Sequence, residues 1–351
     1  MRVLVTGGSG FLGSHLCEAL LDEGVEVRAL DRDDGSKVRH LLGRDGFQFH
    51  RGSILDPERV GDLVRRVDAV YHFAAIVGVE HYVKSPHEVL DVNFNGTRIV
   101  LEAAQKHGAR VIFASTSEVY GRNPSVPFRE EDDRVLGSTR IDRWCYSTSK
   151  AAAEHLCFAY ARLGLPVTVL RFFNVYGPRL DRLDAGRVLT IFMGQILRGR
   201  PLTVIGDGTQ TRCFTFVSDA VRAVLAAGTL PAAAGGIFNV GTEQETTILS
   251  LAHTLLDIAG RPRSFLTFVP ARAVYGPSYE DIPRRVPDTT RMRTILGVEP
   301  RVGLRDGLTR TLAWYRNAPE DAAPPEEPSL DLAARPRLRR EASGGNGRPI
   351  G

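Results

Sequence analysis

The amino-acid sequence predicts an α/β fold in which a doubly wound parallel sheet carries a smaller C-terminal α/β lobe. In the first half of the chain, short β-branched runs alternate with helical patterns, and a glycine-rich segment follows the first run directly. Beyond residue 174 this alternation gives way to turn-rich segments and short strands. Strands that alternate with helices form right-handed crossovers, so the first half predicts a parallel sheet covered on both faces.

The first predicted strand, residues 2–6, is followed by a helical pattern at residues 12–22. Further strand-like runs continue the series at residues 26–31, 47–50, 69–73, 110–114 and 166–171. Two long helical patterns lie at residues 86–107 and 147–163. This order predicts a first domain over residues 1–173 and a lobe over residues 174–317, some of whose segments return to the first domain. Residues 318–351 are rich in proline and glycine and have no aromatic residue, which predicts a disordered tail.

Composition excludes several classes of protein. Of 351 residues, 43% are apolar and 25% are charged, as in ordinary globular proteins, and a formal net charge of +4 does not predict the wrapping of nucleic acid. No apolar run approaches the roughly 20 residues of a membrane span, and the N-terminus has no secretion signal. Four scattered cysteines predict neither a disulfide framework nor a metal site. We therefore expect a cytoplasmic protein without a membrane or nucleic-acid partner.

The glycine-rich segment predicts a dinucleotide site. Its glycines are Gly7, Gly10 and Gly13, with Phe11 and Leu12 between the last two. Glycines at this spacing, between a strand and a helix, permit a tight turn and close approach to a pyrophosphate, although they could also form a turn alone. Asp31, which ends the second predicted strand, is suited to a ribose hydroxyl and would repel a 2′-phosphate. NAD is therefore favoured, while Arg32 keeps NADP as an alternative.

A tyrosine and a lysine four residues apart are candidates for acid/base catalysis. Tyr146 and Lys150 open a helical pattern, and this spacing puts them on one face of a helix. We expect the lysine to lower the pKa of the phenol, so that the phenolate takes a proton from a substrate hydroxyl. Thr116 follows a predicted strand and would lie at the sheet edge where doubly wound folds bind ligands.

These motifs resemble those of the extended short-chain dehydrogenase/reductase family, the NAD-dependent nucleotide-sugar epimerases, dehydratases and decarboxylases. The resemblance runs from residue 1 to about residue 316 and implies a Rossmann-like sheet. It implies that Thr116, Tyr146 and Lys150 act at the sugar 4-hydroxyl and that Asn174 faces the substrate diphosphate. The further cofactor contacts that it implies are Ala74, Ala75, Asn93, Ser53 and Ile54. Ser53 stands where the family usually has an aspartate that accepts a hydrogen bond from adenine.

Residues near the sugar favour the decarboxylase class of this family. In the dehydratases of this family, the two residues after the threonine are typically Asp and Glu, whereas this chain has Ser117 and Glu118. A serine is too weak an acid to expel the 6-hydroxyl of the sugar, as a dehydratase must. Three segments are similar to the UDP-glucuronate decarboxylases, and they contribute Arg179, Arg187, Arg212, Tyr279 and Arg285. The resemblance implies that Arg187 and Arg212 contact the substrate, that Tyr279 touches the nucleotide, and that Arg285 is the acid near the reacting carbon. Glu118 would lie beside the departing carboxylate.

The sequence thus predicts NAD-dependent decarboxylation of UDP-glucuronate, through a 4-keto intermediate, to UDP-xylose or UDP-4-keto-pentose. A nucleotide-sugar 4-epimerase or 4,6-dehydratase is the alternative, and a non-catalytic NAD-responsive binding protein is the second. Related enzymes pair their two long helices across a two-fold axis, so we also expect a homodimer through a four-helix bundle. The apolar residues expected to supply it are Val89, Val92, Ile99, Val100, Leu156, Phe158 and Tyr160.

Overall fold

A seven-stranded parallel sheet lies at the centre of the molecule, in a computed structural model that describes residues 1–183, 186–270, 273 and 282–317. The strands of the described residues are β1 (Arg2–Thr6), β2 (Glu26–Asp31), β3 (Phe47–Arg51), β4 (Ala69–His72), β5 (Arg110–Thr116), β6 (Val167–Phe172), β7 (Val175–Tyr176), β8 (Leu202–Ile205), β9 (Thr211–Cys213), β10 (Thr215–Phe216), β11 (Ile237–Val240), β12 (Glu245–Thr247) and β13 (Leu266–Val269). The central sheet has the order β11-β6-β5-β4-β1-β2-β3, with every pair parallel. The predicted doubly wound sheet is confirmed.

Helices cover both faces of this sheet. They are α1 (Phe11–Asp22), α2 (Pro57–Val64), α3 (Val79–Lys84), α4 (Pro86–Leu90), α5 (Gly96–His107), α6 (Arg143–Arg162), α7 (Val188–Leu197), α8 (Val217–Thr229), α9 (Ile248–Ala259), α10 (Thr290–Thr294) and α11 (Leu304–Asn317). Strands β4 and β6 are buried along their whole length, as expected of strands covered on both faces. The two faces form separate apolar clusters, one with α1 and α8 and the other with α2 and α5.

The sheet reverses its winding direction between β1 and β4. From β1 the chain proceeds to β2 and β3 on one side, and from β4 it proceeds to β5, β6 and β11 on the other. In open α/β sheets, ligands bind in the crevice at the carboxyl ends of the strands at this point. The glycine loop after β1, the segment after β4 and the end of β5 at Thr116 all meet this crevice.

Three two-stranded sheets lie in the later part of the chain, among five α-helices of the described residues. They pair β7 with β10, β8 with β13, and β9 with β12. Strand β11 instead returns to the central sheet, where it lies beside β6. Whether the chain divides into domains at residue 174 stays a prediction.

The long helical pattern at residues 86–107 is interrupted where a single helix was expected. A π-helical turn, Asp91–Asn95, separates α4 from α5. Within it Asn93 is almost fully buried, and its side chain bonds to Ile76 and Ser149. Such turns often occur at functional sites, because the extra residue turns a side chain inward. The apolar periodicity of the sequence could not predict this turn, because one extra residue changes the helical pattern too little.

Two of the apolar residues expected at a dimer surface lie elsewhere. Val89 and Val100 are fully buried within the chain's own core, so they are not available to a partner.

The predicted tail, residues 318–351, and Tyr279 lie outside the described residues. Within the described residues, no helix has the length and apolarity to cross a membrane, and no group of His, Cys, Asp or Glu side chains could hold a metal ion.

Candidate active site

The glycine loop forms a cradle that has no room for side chains. Gly7 has a φ of +70°, and a Cβ placed there would lie 2.7 Å from the backbone nitrogen of Ala74. A Cβ at Gly13 would overlap the carbonyl oxygen of Gly7, and one at Gly10 would lie 3.0 Å from the same atom. Helix α1 begins directly after Gly10, so its unpaired N–H groups face the loop. The buried Ser9 hydroxyl has no hydrogen-bond partner in the described structure. These features fit a pyrophosphate.

Asp31 is held against this loop at the end of β2. Its carboxylate accepts hydrogen bonds from the backbone N–H groups of Ser9, at 2.9 Å, and Asp33, at 3.2 Å. Burial raises the pKa of Asp31, and these hydrogen bonds oppose the rise. Arg32 is exposed, while Phe11 is buried and Leu12 half-buried at the start of α1. The site thus has a positioned acceptor where a ribose would lie.

A hydrogen-bonded histidine supports the segment after β4. His72 is buried between the hydroxyls of Thr6, at 2.7 Å, and Thr97, at 3.0 Å. The Thr6 hydroxyl also accepts a hydrogen bond from the N–H of Ala74. Burial, together with the charge of Lys150, lowers the pKa of His72 to about 3, so the ring is neutral. Ala74 and the half-buried Ala75 therefore border the glycine loop in a fixed position.

Three predicted cofactor contacts have other partners in the structure. The amide of Asn93 accepts from the N–H of Ile76 and donates to Ser149, which ties the segment after β4 to α6. The Ser53 hydroxyl accepts from the N–H of Leu55. The side chain of Ile54 fills the space beside Gly96. Contact between these residues and a cofactor stays a prediction.

Tyr146 and Lys150 lie on α6 at the carboxyl edge of the sheet, and both are buried. The Lys150 ammonium lies 4.5 Å from the centre of the Phe113 ring on β5. Burial lowers the pKa of Lys150 to about 8. The Thr116 hydroxyl bonds to the Tyr146 phenol and accepts from the N–H of Glu118. The structure thus brings the predicted Thr, Tyr and Lys to one place.

The expected low pKa of Tyr146 is not found in this structure. Burial raises the pKa of Tyr146 to about 12, and the negative charge of Glu118 adds to the rise. The Thr116 hydrogen bond and the charges of Arg187 and Arg285 lower it. The prediction from spacing considered only the lysine and left out desolvation, which is the largest effect on a buried phenol.

An ion-paired cluster lies beside these residues. Glu118 follows Thr116 by two residues, and its carboxylate lies 2.7 Å from the Arg285 guanidinium and 3.6 Å from that of Arg143. Burial alone would raise the pKa of Glu118, but Arg285, Arg143 and Arg212 hold it below its usual range. Glu118 is therefore a carboxylate and not a proton donor at neutral pH. The buried Nε of Arg285 has no hydrogen-bond partner in the described residues, so it can receive a ligand.

Sequence reasoning missed two residues of this site. Tyr82, on the short helix α3, stacks on Tyr146 with ring centres 4.9 Å apart. Arg143 precedes Tyr146 by one turn of α6 and is nearly as buried as Arg285. Nothing in the sequence around Tyr82 indicates this contact. The helical spacing of Arg143 and Tyr146 could have indicated that the arginine shares a helix face with Tyr146.

The structure separates the predicted substrate residues into two groups. Arg187 and Arg212 act on the site, because the charge of Arg187 lowers the pKa of Tyr146 and that of Arg212 lowers the pKa of Glu118. Ser117 is buried between Thr116 and Glu118. Asn174, with a φ of +36°, donates its amide to the carbonyl of Cys213, next to Arg212.

Arg179 belongs to the second group. Its guanidinium lies 2.6 Å from Glu18 and from a ring nitrogen of His15, both on α1, and 2.9 Å from His40. Burial, with Arg179 as the second cause, lowers the pKa of His15 to about 4. Arg179 therefore ties the loop after β7 to α1, and its contact with substrate stays a prediction.

A family model described as "NAD dependent epimerase/dehydratase family" matches residues 3–241, more than half of the chain. The chain belongs to this family. The match includes the glycine loop, Asp31, Thr116, Tyr146 and Lys150. The cofactor of the chain is NAD, and the cradle of Gly7 and Gly13 fits it.

Relatives within the family include decarboxylases and epimerases. The chain is 41% identical to a UDP-N-acetyl-alpha-D-glucosaminuronate decarboxylase of Bacillus cytotoxicus, over 91% of this chain and 99% of the relative. It is 36% identical to UDP-glucuronic acid decarboxylase 1 of Danio rerio, over 92% of this chain and 74% of the relative. Among solved structures, a UDP-glucuronic acid 4-epimerase of Bacillus cereus in complex with UDP-glucuronic acid and NAD has a TM-score of 0.80 and 32% identity, over 90% of this chain and 99% of that one.

Proposed function

We propose that the chain is an NAD-dependent decarboxylase of a UDP-hexuronic acid and that UDP-glucuronate is its substrate. The observation that carries this proposal is the buried cluster of Glu118 with Arg285 and Arg143, next to Tyr146. The buried Nε of Arg285 has no hydrogen-bond partner among the described residues, so it can donate to a carboxylate of the substrate. The planar fork of arginine suits that partner.

NAD, when bound, supplies the oxidant for the sugar C4 carbon and a positive charge on its nicotinamide ring. Tyr146 takes the proton of the 4-hydroxyl as that carbon is oxidised, and Thr116 orients the phenol by hydrogen bonding. Lys150 contributes a positive charge from the next turn of α6. Because burial raises the pKa of the Tyr146 phenol to about 12, positive charge near the phenol favours formation of the phenolate.

The ketone formed at C4 is β to the carboxylate, so it accepts the electron pair of the breaking C5–C6 bond. Carbon dioxide leaves, an enolate forms, and a proton must then reach C5. Arg285 does not readily give up a proton, so we assign to it the binding of the carboxylate and the positioning of a water that passes a proton from solvent to C5. Glu118, held ionised by its arginines, orients Arg285 and that water. Return of hydrogen to C4 gives UDP-xylose, whereas release of the ketone gives UDP-4-keto-pentose.

A second substrate has specific support. The relative at 41% identity is named for UDP-N-acetylglucosaminuronate, a 2-acetamido uronic acid. Both substrates place the same carboxylate beside the same C4 hydroxyl, so the chemistry assigned to Tyr146 and Arg285 applies to either. The 4-epimerase alternative also has support, because a similar solved structure binds UDP-glucuronic acid and is named for epimerisation.

Products from a panel of sugar nucleotides distinguish these functions. We expect UDP-glucuronate to lose carbon dioxide and give a UDP-pentose or its 4-ketone, detected by mass spectrometry, while UDP-glucose is unchanged. A UDP-hexuronate of unchanged mass and inverted C4 would identify an epimerase. Faster decarboxylation of the 2-acetamido substrate would assign the second substrate. No turnover of any nucleotide sugar, with NAD still bound, would identify the non-catalytic binding protein.

We also propose that the chain forms a homodimer through a four-helix bundle of α5 and α6 from two copies. The apolar residues that support it are packed on the core but remain partly exposed, and they are Val92, Ile99, Leu156, Phe158 and Tyr160. Sedimentation at micromolar concentration tests it. We expect a dimer that Phe158→Glu converts to a monomer, and a monomeric parent chain would contradict the proposal.

The domain division is proposed as expected from the sequence, with residues 1–173 binding NAD and residues 174–317 mainly binding the sugar nucleotide. The grouping of three small sheets after residue 174 supports it, with β11 as a segment that returns. Hydrogen exchange is expected to show protection of residues 7–13 by NAD and of residues 211–215 by UDP.

A cytoplasmic location is likewise proposed, and fractionation of cells that express the chain tests it.

A further inference from the structure

A buried ion pair, Glu154 with Arg171, joins α6 to β6 one turn beyond Lys150. Glu154 follows Lys150 by four residues on α6 and therefore lies on the same face, one turn away. Its carboxylate accepts two hydrogen bonds from Arg171 on β6, from Nε at 2.9 Å and from Nη2 at 2.7 Å. It also accepts one from the hydroxyl of Ser115 on β5.

This ion pair connects three elements that carry the reaction. Ser115 immediately precedes Thr116, and in the sheet Ser115 pairs with Arg171. The Nη1 group of Arg171 donates to the carbonyl of Glu130. The central carbon of the guanidinium lies 4.7 Å from the centre of the Tyr120 ring. Each of the three guanidinium nitrogens of Arg171 thus has a hydrogen-bond partner. Breaking such a pair is costly, whereas replacing both charges by apolar residues often is not.

Glu154 also lies one turn of α6 from Lys150, and its charge acts on that side chain. Burial lowers the pKa of Lys150, and Cys157 and Glu154 are the groups that oppose the fall. Burial raises the pKa of the Cys157 thiol, so this group is uncharged at neutral pH. His72, which faces Lys150 from β4, is neutral as well. Arg171 and Arg134 face Glu154, and neither is among the groups that shift the pKa of Lys150. Glu154 therefore acts on Lys150 as a negative charge.

We propose that Glu154 is a positioning residue: its carboxylate fixes the end of β5 at Thr116 to the helix that carries Tyr146, and it supplies the countercharge of the buried Lys150 ammonium. The importance of this charge for turnover rests on the proposed function, but its effect on Lys150 does not. The chain has only four lysines, Lys37, Lys84, Lys106 and Lys150. Their ε-carbons, labelled with carbon-13, give four resonances that report each pKa directly.

The test is an NMR titration of lysine-labelled protein without substrate, with Lys150 assigned by its loss in Lys150→Arg. In the parent chain we expect a pKa of about 8. In Glu154→Gln, which keeps the size of the side chain and one acceptor oxygen and removes the charge, we expect the pKa of Lys150 to fall by about one unit. Glu154→Asp keeps the charge, so most of the fall should be absent. Glu102→Gln, at an exposed glutamate of α5, is the matched control and should leave Lys150 unchanged.

A double variant separates the charge of Glu154 from the exposure of Arg171. Glu154→Met with Arg171→Met removes both buried charges and keeps the volume apolar, so it also serves if Glu154→Gln does not fold. In this double variant we expect the pKa of Lys150 to be as low as in Glu154→Gln. A Lys150 pKa equal to that of the parent chain would overturn the proposal, because the shift in Glu154→Gln would then come from an unpaired Arg171.

The pH profile of sugar oxidation gives a second readout. If Lys150 must be protonated for turnover, the rate of sugar oxidation falls as the pH rises through the pKa of Lys150, which gives the pH–rate curve an alkaline limb. This limb should move to lower pH in Glu154→Gln. Ser115→Ala loosens the tie to Thr116 and should lower the rate without moving the limb. A limb that stays in place while the NMR pKa falls would overturn the catalytic part of the inference. Absence of turnover in the parent chain would contradict the proposed function and leave the NMR result standing.

Discussion

The two ends of the active site differ in what determines the protonation of their buried groups. At the end formed by Thr116, Tyr146 and Lys150, burial dominates, raising the pKa of Tyr146 to about 12 and lowering that of Lys150 to about 8. At the other end, ion pairing dominates, and Glu118 stays ionised although it is buried. The first end can change its protonation when ligands bind. The second holds fixed charges, which suits a substrate that loses a carboxylate.

The largest effect expected at the first end is that of Tyr146→Phe. Without the phenol no proton is taken from the 4-hydroxyl, and the β-keto acid never forms. NADH formation and carbon dioxide release should both fall by about 10²- to 10⁴-fold. Absorbance and trapped carbon dioxide measure the two, with Tyr82→Phe as the matched control because it keeps the ring that stacks on Tyr146. Substantial product from Tyr146→Phe would refute the role of the phenol.

Variants of the second end should separate the two chemical steps. Arg285→Met and Glu118→Gln leave Tyr146 and Lys150 intact, so oxidation at C4 remains possible. Decarboxylation should fall by about 10²-fold, because a positioned charge at the reacting group is lost, while the initial NADH burst falls less. Rapid-quench sampling measures both. Equal losses of burst and carbon dioxide release would show that the two ends do not act separately.

Arg212 and Arg179 offer a comparison of two arginines predicted to bind substrate. Arg212 acts on Glu118, whereas Arg179 is bonded to Glu18 and His15 on α1. Loss of a charge-assisted contact to a diphosphate weakens binding by about tenfold. We expect Arg212→Met to raise the Kd of UDP by that factor and Arg179→Met to change it little. Calorimetry measures both. The reverse order would return Arg179 to the substrate site.

The smallest effect concerns the choice of cofactor. Asp31 is anchored by the N–H of Ser9, and its charge opposes a 2′-phosphate. Asp31→Asn should lower the preference for NAD over NADP several-fold, measured by fluorescence titration with both reduced cofactors. An unchanged preference would mean that Asp31 does not face the ribose.

The fold and the first end of the site were predictable because their signals are local in sequence. Strand and helix periodicity, the glycine spacing of residues 7–13 and the four-residue spacing of Tyr146 and Lys150 all act within one or two elements. The second end joins Glu118, Arg143 and Arg285, which lie far apart in the chain, and only the resemblance to relatives indicated two of them. The pKa of Tyr146 depends on burial, which spacing does not encode.

The most direct test of the account follows the fate of the carboxylate. The parent chain is incubated with NAD and UDP-glucuronate labelled with carbon-13 in its carboxylate, and the reaction is followed by NMR, with the labelled 2-acetamido uronate in parallel. We expect the label to appear as carbon dioxide and bicarbonate while the nucleotide sugar becomes a UDP-pentose or its 4-ketone. Retention of the label in a UDP-hexuronate inverted at C4 would contradict decarboxylation.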